Sequence, residues 1–321
     1  MNQIIETYLF ARPSGLQIKE YAKKIIDVNT ILCFDLEDIV KEMPGNATND
    51  MEKQLHRRAV VDTMAILSDF SKNIRIGIRV NVFNSNEFYK DLEVLEELRA
   101  QVRLTSIFLP KVESGNEILR CFNLLKEREI EFDDIIAIIE SENAYLNLNE
   151  IVTVAKDFSK KLAFGHCDFN FAYRHFPFFH QHSEKYWEWI ATIGKVTKAN
   201  NVVFINSPYL FLDDDEGFLW NLKQLNEIVT GSVGQITLTL RQTMLCSPGG
   251  NNSVPLKPKG IDFIGSEQME TFAATLISDF EKNRMGSLSF SLSSKKRILI
   301  SPHEYLAAKE YLKKLNSPNG D

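Results

Sequence analysis

Eight short apolar segments, most of them separated by longer stretches with a different periodicity, are the main pattern of this chain. The segments are rich in Val, Ile, Leu and Phe, and they are about as long as ordinary strands. Continuous apolar runs of this length are typical of strands that are buried on both faces of a parallel sheet. The eight segments are residues 8–11, 31–35, 74–79, 106–110, 135–140, 161–165, 202–206 and 235–240.

Apolar residues recur at helical spacing in most of the stretches between these segments, which predicts amphipathic helices. A strand followed by a helix, repeated eight times, is typical of a closed parallel barrel. The sequence therefore predicts the α/β class and a (β/α)8 TIM barrel. The clearest helical stretches are residues 51–70, 87–101, 115–128, 185–199 and 216–230.

The 321 residues exceed what a barrel of about 250 residues needs, so we expect an additional C-terminal segment. Residues 1–245 are assigned to the catalytic barrel, and residues 246–260 to a mobile loop or linker because Gly, Pro, Asn and Ser are dense there. Residues 261–321 are predicted to form an α-rich C-terminal cap.

Three elements are expected within this cap. Residues 261–281 have amphipathic helical spacing, and residues 287–292 alternate in the manner of an edge strand. A final helix is predicted over residues 302–315, because Ser301 and Pro302 form a typical helix start.

Composition excludes several classes of protein. The formal net charge of −6 argues against a broad nucleic-acid surface, and no apolar run approaches the length that spans a membrane. The amino terminus lacks the features of a secretory signal, and the four cysteines are scattered without a CxxC pair. We therefore expect a cytoplasmic protein with reduced thiols, which binds neither nucleic acid nor membrane.

Charged and polar side chains stand where the predicted strands end, which is where TIM barrels carry their chemistry. Two of them, Glu140 and Asp168, follow neighbouring strands and could hold a hard divalent cation such as Mg²⁺ or Mn²⁺. Arg79 beside such an ion would stabilise an enolate oxygen, so the set fits carbon–carbon cleavage or formation through a metal-bound enolate. The strand-end residues are Asp35, Glu37, Arg79, Asn81, Lys111, Glu140, Asp168 and Arg241.

Several motifs, taken in order over roughly residues 7–245, resemble the citrate lyase β-subunit-like group of the HpcH/HpaI aldolase family. The resemblance implies a TIM barrel, Mg²⁺ on Glu140 and Asp168, and Arg79 against a carboxylate or enolate oxygen of the substrate. It also implies a C-terminal segment that caps the barrel of the same or a neighbouring subunit, and a homo-oligomer, either a trimer or a hexamer. The motifs are Leu9-Phe10, Phe34-Asp-Leu-Glu-Asp-Ile-Val40, Arg79-Val-Asn81, Leu109-Pro-Lys-Val-Glu113, Ile139-Glu140 and Gly165-His-Cys-Asp168.

Two departures from the family pattern predict a specialised branch with an altered substrate. Family members usually have a Val-Pro-Gly turn after the first strand, which helps to hold coenzyme A, whereas this chain has Ala11-Arg-Pro-Ser-Gly15. Near the last strand, Thr239-Leu-Arg-Gln-Thr-Met244 replaces the family's His-Pro-x-Gln-Ile. Whether an acyl-CoA is used is therefore left open.

Some of these residues also have simpler structural interpretations. Glu37 or Asp38 could be a helix cap, and Arg79 could simply pair with Asp35 or Glu37. Lys111 could be a Schiff-base nucleophile, although an ion-pair partner is favoured. A zinc site formed by His166, its neighbouring histidines and Cys167 is disfavoured, because the spacing matches no standard site. The many phenylalanines of this segment instead predict a loop packed over the barrel mouth. The acidic run that begins at Asp213 is interpreted as a helix start rather than a calcium loop.

The favoured function is a Mg²⁺-dependent carbon–carbon lyase or aldolase acting on a small 2-oxo acid or acyl unit, possibly an acyl-CoA. Asp35, Glu37 and Arg79 are the predicted catalytic residues. Arg12, Asn81, Lys111 and Arg241 are predicted to bind the substrate. One alternative is a phosphate-bearing or nucleotide-linked substrate bound by Arg12, Arg241 and Lys257 or Lys259. A second alternative is a metal-binding barrel without turnover in a larger complex.

Overall fold

Eight parallel strands close into a barrel in chain order, with the last strand paired to the first, so the predicted (β/α)8 fold is confirmed. The structure is a computed structural model. It describes residues 4–13, 15–37, 48–67, 70, 73–99, 101–247, 266–282, 284–285, 288–291 and 297–316. The strands are β1 (Ile4–Phe10), β2 (Thr30–Asp35), β3 (Arg75–Arg79), β4 (Leu104–Leu109), β5 (Phe132–Ile139), β6 (Lys161–Phe164), β7 (Val203–Asn206) and β8 (Val233–Thr237), and each overlaps the apolar segment that predicted it.

Helices connect the strands and surround the barrel. The five predicted helical stretches are confirmed by helices over Thr48–Leu67, Asn86–Leu98, Gly115–Glu127, Glu184–Ala199 and Asp215–Ile228. The acidic run after Asp213 begins a helix, as predicted, with Asp214 at its N-cap. The helices are α1 (Gly15–Ile25), α2 (Thr48–Leu67), α3 (Asn86–Leu98), α4 (Gly115–Glu127), α5 (Glu142–Leu146), α6 (Leu148–Phe158), α7 (His166–Ala172), α8 (Glu184–Ala199), α9 (Asp215–Ile228), α10 (Leu240–Leu245), α11 (Ser266–Lys282) and α12 (Pro302–Leu315).

Alternate residues of each strand serve two separate cores. Ile31 and Cys33 of β2 point into the barrel interior, whereas Leu32 and Phe34 pack outward in the layer shared with the helices. This alternation is the two-residue period of a strand applied to a closed sheet. Burial on both faces explains why the strands appear in the sequence as unbroken apolar runs.

An ion cluster closes the amino-terminal end of the barrel. Lys161 Nζ lies 2.7 Å from Glu6 Oε2 and 2.9 Å from Asp134 Oδ2, and Arg75 Nη1 lies 2.6 Å from Glu6 Oε1. The Tyr8 hydroxyl donates a further hydrogen bond to Glu6. This paired cluster joins the beginnings of β1, β3, β5 and β6.

The C-terminal region contains α11, α12 and a three-stranded sheet of β9 (Arg284–Met285), β10 (Leu288–Ser291) and β11 (Ile298–Ile300). The prediction of an edge strand at 287–292 is wrong in its position, because β10 is the middle strand and pairs with both neighbours. Alternation of polar and apolar residues shows that one face of a strand is more polar, but it does not show whether the strand has a hydrogen-bonded neighbour on both sides. The final helix is confirmed, and Ser301 Oγ accepts a hydrogen bond from the Glu304 amide at 3.0 Å.

Most of the predicted linker, residues 246–260, lies outside the described residues, and so the domain boundaries stay a prediction. All four cysteines are free thiols. Within the described part of the chain, no helix combines the length and the apolar character needed to cross a bilayer.

Candidate active site at the carboxyl ends of the strands

The site begins with two residues that parallel strand pairing brings side by side. Asp35 is the last residue of β2 and Arg79 is the last residue of β3, and the two are register partners. Glu140 follows β5 directly, and Asp168 is the third residue of α7, which is separated from the end of β6 by one residue. The strands therefore deliver these four side chains to the same end of the barrel.

Arg79 is held from two directions by carboxylates. Its Nε and Nη2 atoms donate to the two oxygens of Asp35 at 2.8 and 2.5 Å. Its Nη1 atom lies 3.0 Å from Glu37 Oε2, and its guanidinium carbon lies 6.0 Å from the centre of the Phe10 ring. Because a bidentate pair fixes the plane of a guanidinium, Asp35 and Glu37 orient Arg79 at the barrel mouth.

Lys111 connects the other carboxylates of the site. Its Nζ atom lies 3.1 Å from Glu37 Oε1 and 3.4 Å from Asp168 Oδ1. Its backbone N–H donates to Glu140 Oε1 at 2.7 Å, from a left-handed conformation with φ of 51°. The side chain thus makes ion pairs, which is the interpretation that the sequence favoured over a Schiff-base nucleophile.

Glu140 is the most deeply buried carboxylate of the group, with 3% of its surface exposed. Burial raises the pKa of Glu140 well above its ordinary value, and the nearby charges of Asp168 and Glu37 raise that pKa further. Gly165 packs directly against this side chain. A Cβ at Gly165 would lie 2.9 Å from the Glu140 Cβ and closer still to its Oε2 atom.

The charges of the site do not balance. Four carboxylates (Asp35, Glu37, Glu140 and Asp168) surround the cationic side chains of Arg79 and Lys111, which leaves a formal excess of two negative charges when all four are ionised. A proton on Glu140, which its raised pKa favours, reduces this excess to one. A divalent cation would neutralise this excess. Among the described residues, no group of three or more His, Cys, Asp or Glu side chains is arranged to hold a metal ion. Mg²⁺ is nevertheless commonly bound by only two carboxylates, with water and substrate oxygens in its remaining coordination positions.

One member of the site comes from the C-terminal cap. His303 lies in the first turn of α12, and its Nε2 atom is 3.5 Å from Asp168 Oδ1. Its ring lies 5.2 Å from the ring of Phe171 on α7, measured between centroids. Sequence reasoning identified the helix start at Ser301 and Pro302 but assigned no chemistry to His303, because only the fold brings α12 to the barrel mouth.

The histidines after β6 bond to one another and to the cap. His166 Nε2 lies 3.1 Å from His180 Nδ1, and His180 Nε2 lies 3.2 Å from Glu304 Oε1. Burial lowers the pKa of His166 well below its usual value, and it lowers that of His182 to about 4. Both ring nitrogens of His180 and the Nε2 atom of His166 therefore take part in this hydrogen-bond chain.

The aromatic run that follows packs between the barrel and the cap. Phe169 belongs to the core around the strands. Phe176 lies 5.8 Å from Phe272 of α11 and 5.1 Å from Tyr311 of α12, measured between ring centroids. The segment thus contacts the cap helices on one side and the barrel on the other.

The four residues predicted to bind substrate occupy different environments. Asn81 is buried, and its side-chain amide donates to the Leu36 carbonyl at 2.7 Å and to Asp91 at 2.8 Å. Arg12 follows β1, and burial lowers its pKa. Lys111 lies in the carboxylate cluster, whereas Arg241 on α10 is largely exposed and donates to Asp215 at 2.5 and 2.9 Å. The structure therefore places Lys111 among the carboxylates of the site. Arg241 instead forms a separate ion pair with Asp215.

A TIM barrel whose strand ends carry an oriented arginine and a cluster of carboxylates has the arrangement typical of barrel enzymes, which place their chemistry at the carboxyl ends of the strands. The model of the HpcH/HpaI aldolase/citrate lyase family matches residues 25–230, which is more than half of the chain. The chain belongs to this family and is a carbon–carbon lyase of the aldolase/citrate lyase type.

Solved structures share the fold at low sequence identity. The citrate lyase beta subunit of M. tuberculosis complexed with oxaloacetate and magnesium is 19% identical, covers 75% of this chain and 94% of its own, and has a TM-score of 0.54. CitE of Mycobacterium tuberculosis with magnesium, acetoacetate and coenzyme A is 17% identical over 99% and 100% of the two chains, also with a TM-score of 0.54. RipC of Yersinia pestis is 17% identical over 76% and 95%, with a TM-score of 0.55. No curated protein matches the chain.

Proposed function

We propose that this chain is a Mg²⁺-dependent lyase or aldolase that makes or breaks a carbon–carbon bond through the enolate of a small 2-oxo acid or acyl unit. The observation that carries the proposal is the excess of negative charge around the buried Glu140 carboxylate. A cation is the simplest physical reason to gather Glu140, Asp168 and Glu37 in one place. Complexes of structural neighbours with magnesium and oxaloacetate, pyruvate or acetoacetate support it.

In this proposal Glu140 and Asp168 hold the ion, and Mn²⁺ can replace Mg²⁺ because both prefer oxygen ligands. When bound, the ion supplies positive charge that stabilises a developing oxyanion. Glu37 shares Lys111 with Asp168, since Lys111 Nζ lies within 3.4 Å of a carboxylate oxygen of each. Lys111 therefore bridges the two carboxylates and restricts their orientation.

Arg79 is proposed to donate hydrogen bonds to the carboxylate or enolate oxygen of the substrate. Asp35 and Glu37 hold its guanidinium in one orientation, and this fixed orientation is what makes a donor effective in the transition state. Asp35 and Glu37 thereby act on the reaction through Arg79. Removal of one such preorganised donor typically lowers kcat by about 10²–10³-fold.

The substrate-binding roles of Arg12, Asn81, Lys111 and Arg241 stay predictions. Lys111 is the best placed of the four, because its ammonium group already lies among the proposed metal ligands. Use of an acyl-CoA is supported by a neighbour solved with coenzyme A. We also propose a cytoplasmic homo-oligomer, a trimer or a hexamer, which light scattering coupled to size-exclusion chromatography would test.

The experiment is calorimetric titration of Mg²⁺ into the wild type, Glu140→Gln and Asp168→Asn. Both substitutions remove a proposed ligand charge and keep the side-chain size, so we expect Mg²⁺ binding to be lost or weakened at least tenfold. Asp133→Asn is the matched control, because Asp133 is an exposed carboxylate at the opposite end of the strand that precedes Glu140. Absent binding in the wild type, or binding unchanged in both variants, would refute the metal site.

The second stage adds pyruvate, oxaloacetate or acetyl-CoA to the Mg²⁺-loaded protein. An oxo acid that chelates the ion should raise the apparent Mg²⁺ affinity, because the two ligands stabilise each other's binding. Bond cleavage is then assayed with the compound that gives the largest effect. Coupling to none of the three compounds would exclude this substrate class.

A further inference from the structure

The first turn of α12 presents two adjacent side chains to the barrel. His303 reaches Asp168, with its Nε2 atom 3.5 Å from Oδ1. Glu304 is 5% exposed, and its Oε1 atom lies 3.2 Å from Nε2 of His180. Because a buried carboxylate is costly without a partner, the Glu304–His180 contact strongly favours one position for this turn.

The contact continues into the element that carries Asp168. His180 bonds to His166, which is 1% exposed and is the first residue of α7. The His166 backbone N–H donates to Ser207 Oγ at 3.2 Å. Asp168 lies in the same turn of α7. A continuous chain of hydrogen bonds therefore runs from Glu304 through His180 to the helix that positions Asp168.

The strand before α12 is attached to the barrel of its own chain. The Leu299 N–H donates to the Leu210 carbonyl at 2.9 Å, and the Leu212 N–H donates to the Arg297 carbonyl at 2.8 Å. Arg297 also bonds to Asp213 through its backbone and guanidinium, with distances from 2.7 to 3.0 Å. These bonds place α12 next to α7 within one chain.

We propose that the first turn of α12 completes the active site of its own chain: His303 is a positioning residue for Asp168, and the Glu304–His180–His166 hydrogen-bond chain holds the turn in place. The proposal rests on the proposed function in so far as Asp168 is a metal ligand. Lys111 and His303 face the same Asp168 oxygen, at 3.4 and 3.5 Å, and come from different elements. Together they restrict the orientation of the carboxylate, as partners of metal ligands commonly do.

The first test is the Mg²⁺ affinity of His303→Phe and His303→Gln, measured by calorimetry. His303→Phe keeps a ring beside Phe171 but removes the nitrogen, and we expect Mg²⁺ to bind about 10–100-fold more weakly. His303→Gln restores a side-chain nitrogen donor and should recover most of this loss. Wild-type affinity in His303→Phe, or equal losses in both variants, would overturn the positioning role.

The second test does not depend on a metal. Hydrogen exchange of residues 166–172 is compared among the wild type, Glu304→Ala and Glu310→Ala in metal-free protein. Glu310 is an exposed residue on the same helix and serves as the matched control. We expect faster exchange of α7 only in Glu304→Ala, because that change leaves His180 without its buried partner. Unchanged exchange would overturn the hydrogen-bond chain.

The third test asks whether the cap acts on its own chain. The Asp168→Asn and His303→Phe variants are refolded together, so that any oligomer contains both kinds of chain, and Mg²⁺ binding is then measured. A site completed within one chain gives no recovery, because every chain carries one of the two changes. Sites of wild-type affinity would show that the cap acts on a neighbour and would overturn the proposal. Failure of the wild type to bind Mg²⁺ refutes the metal function, and the exchange experiment then decides the cap contact alone.

Discussion

At the scale of single residues, Glu140 has the most unusual environment in the site. Its carboxyl is buried beside two other carboxylates, and its first oxygen accepts the Lys111 backbone N–H. Burial and repulsion both favour the protonated form, so the metal-free protein holds a proton on Glu140 at a pH where the unfolded chain has released it. Metal binding and protonation therefore compete at this residue.

This competition predicts a pH dependence of stability. Because the folded state binds the extra proton, the free energy of unfolding of the metal-free protein falls as the pH rises from about 4.5 towards the raised pKa of Glu140. Glu140→Gln should flatten this slope, and saturating Mg²⁺ should flatten it in the wild type. Urea unfolding between about pH 5 and about pH 8 measures it. A slope that is identical in the variant would contradict the assignment.

Gly165 gives a second prediction at this scale. Gly165→Ala places a methyl group against Glu140, with the Cβ atoms 2.9 Å apart, so the side chain or strand must shift. We expect a loss of about 1–3 kcal/mol in the free energy of unfolding and weaker Mg²⁺ binding. Gly231→Ala is the control, since its Cβ would meet nothing nearer than 3.6 Å. Equal effects of the two substitutions in urea unfolding would refute the close-packing argument.

At the scale of elements, parallel pairing turns distant parts of the chain into neighbours at both ends of the barrel. At the carboxyl end, the register of β2 and β3 pairs Asp35 with Arg79. At the amino end, Lys161 at the start of β6 contacts Glu6 of β1 and Asp134 of β5. The first set serves the site, whereas the second closes the barrel.

The closing cluster can be tested by removing its central charge. Lys161→Met leaves Glu6 and Asp134 without their shared cation in a mostly buried position, and we expect a loss of about 3–5 kcal/mol in the free energy of unfolding. Lys185→Met breaks an exposed pair with Glu188 and should change the free energy of unfolding much less, because water screens that pair. Urea denaturation compares the two variants. A loss for Lys161→Met no larger than that of the control would show that the cluster does not support the barrel.

At the scale of the whole molecule, the cap contacts the barrel at the candidate site through His303 and Glu304. The cap has its own small core, in which Phe280 of α11 stacks on Tyr305 of α12 with ring centroids 4.1 Å apart. Tyr305 follows His303 and Glu304 directly in the same turn. Packing inside the cap therefore controls a turn that contacts the proposed metal ligand Asp168.

We expect Phe280→Ala to weaken Mg²⁺ binding although Phe280 belongs to the cap core. The cavity should lower the free energy of unfolding of the cap by about 3–5 kcal/mol, because Phe280 is buried. Weaker packing of α12 would then hold His303 less firmly against Asp168. Calorimetry measures the affinity, and limited proteolysis reports release of the cap. Leu315→Ala, at an exposed position of α12, is the control. Unchanged affinity together with a released cap would separate the cap from the site.

The sequence by itself determined the number and order of the barrel strands, most of the helices and the chemical character of the strand ends. These features are local, because apolar periodicity and helix starts are written in neighbouring residues. Asp35, Arg79, Glu140 and Asp168 could be predicted to converge because a closed parallel barrel brings all its strand ends to one face. The family resemblance, which the match to residues 25–230 confirms, rests on these same motifs.

Only the tertiary structure decided the contacts between remote segments. The pairing of Glu6 with Lys161 and of His180 with Glu304 joins residues 155 and 124 positions apart, and no local pattern encodes such distances. The middle position of β10 and the close contact of Gly165 with Glu140 likewise depend on which surfaces meet. Side-chain periodicity specifies which face of an element is buried, whereas burial of that face against a particular partner depends on how the whole chain packs.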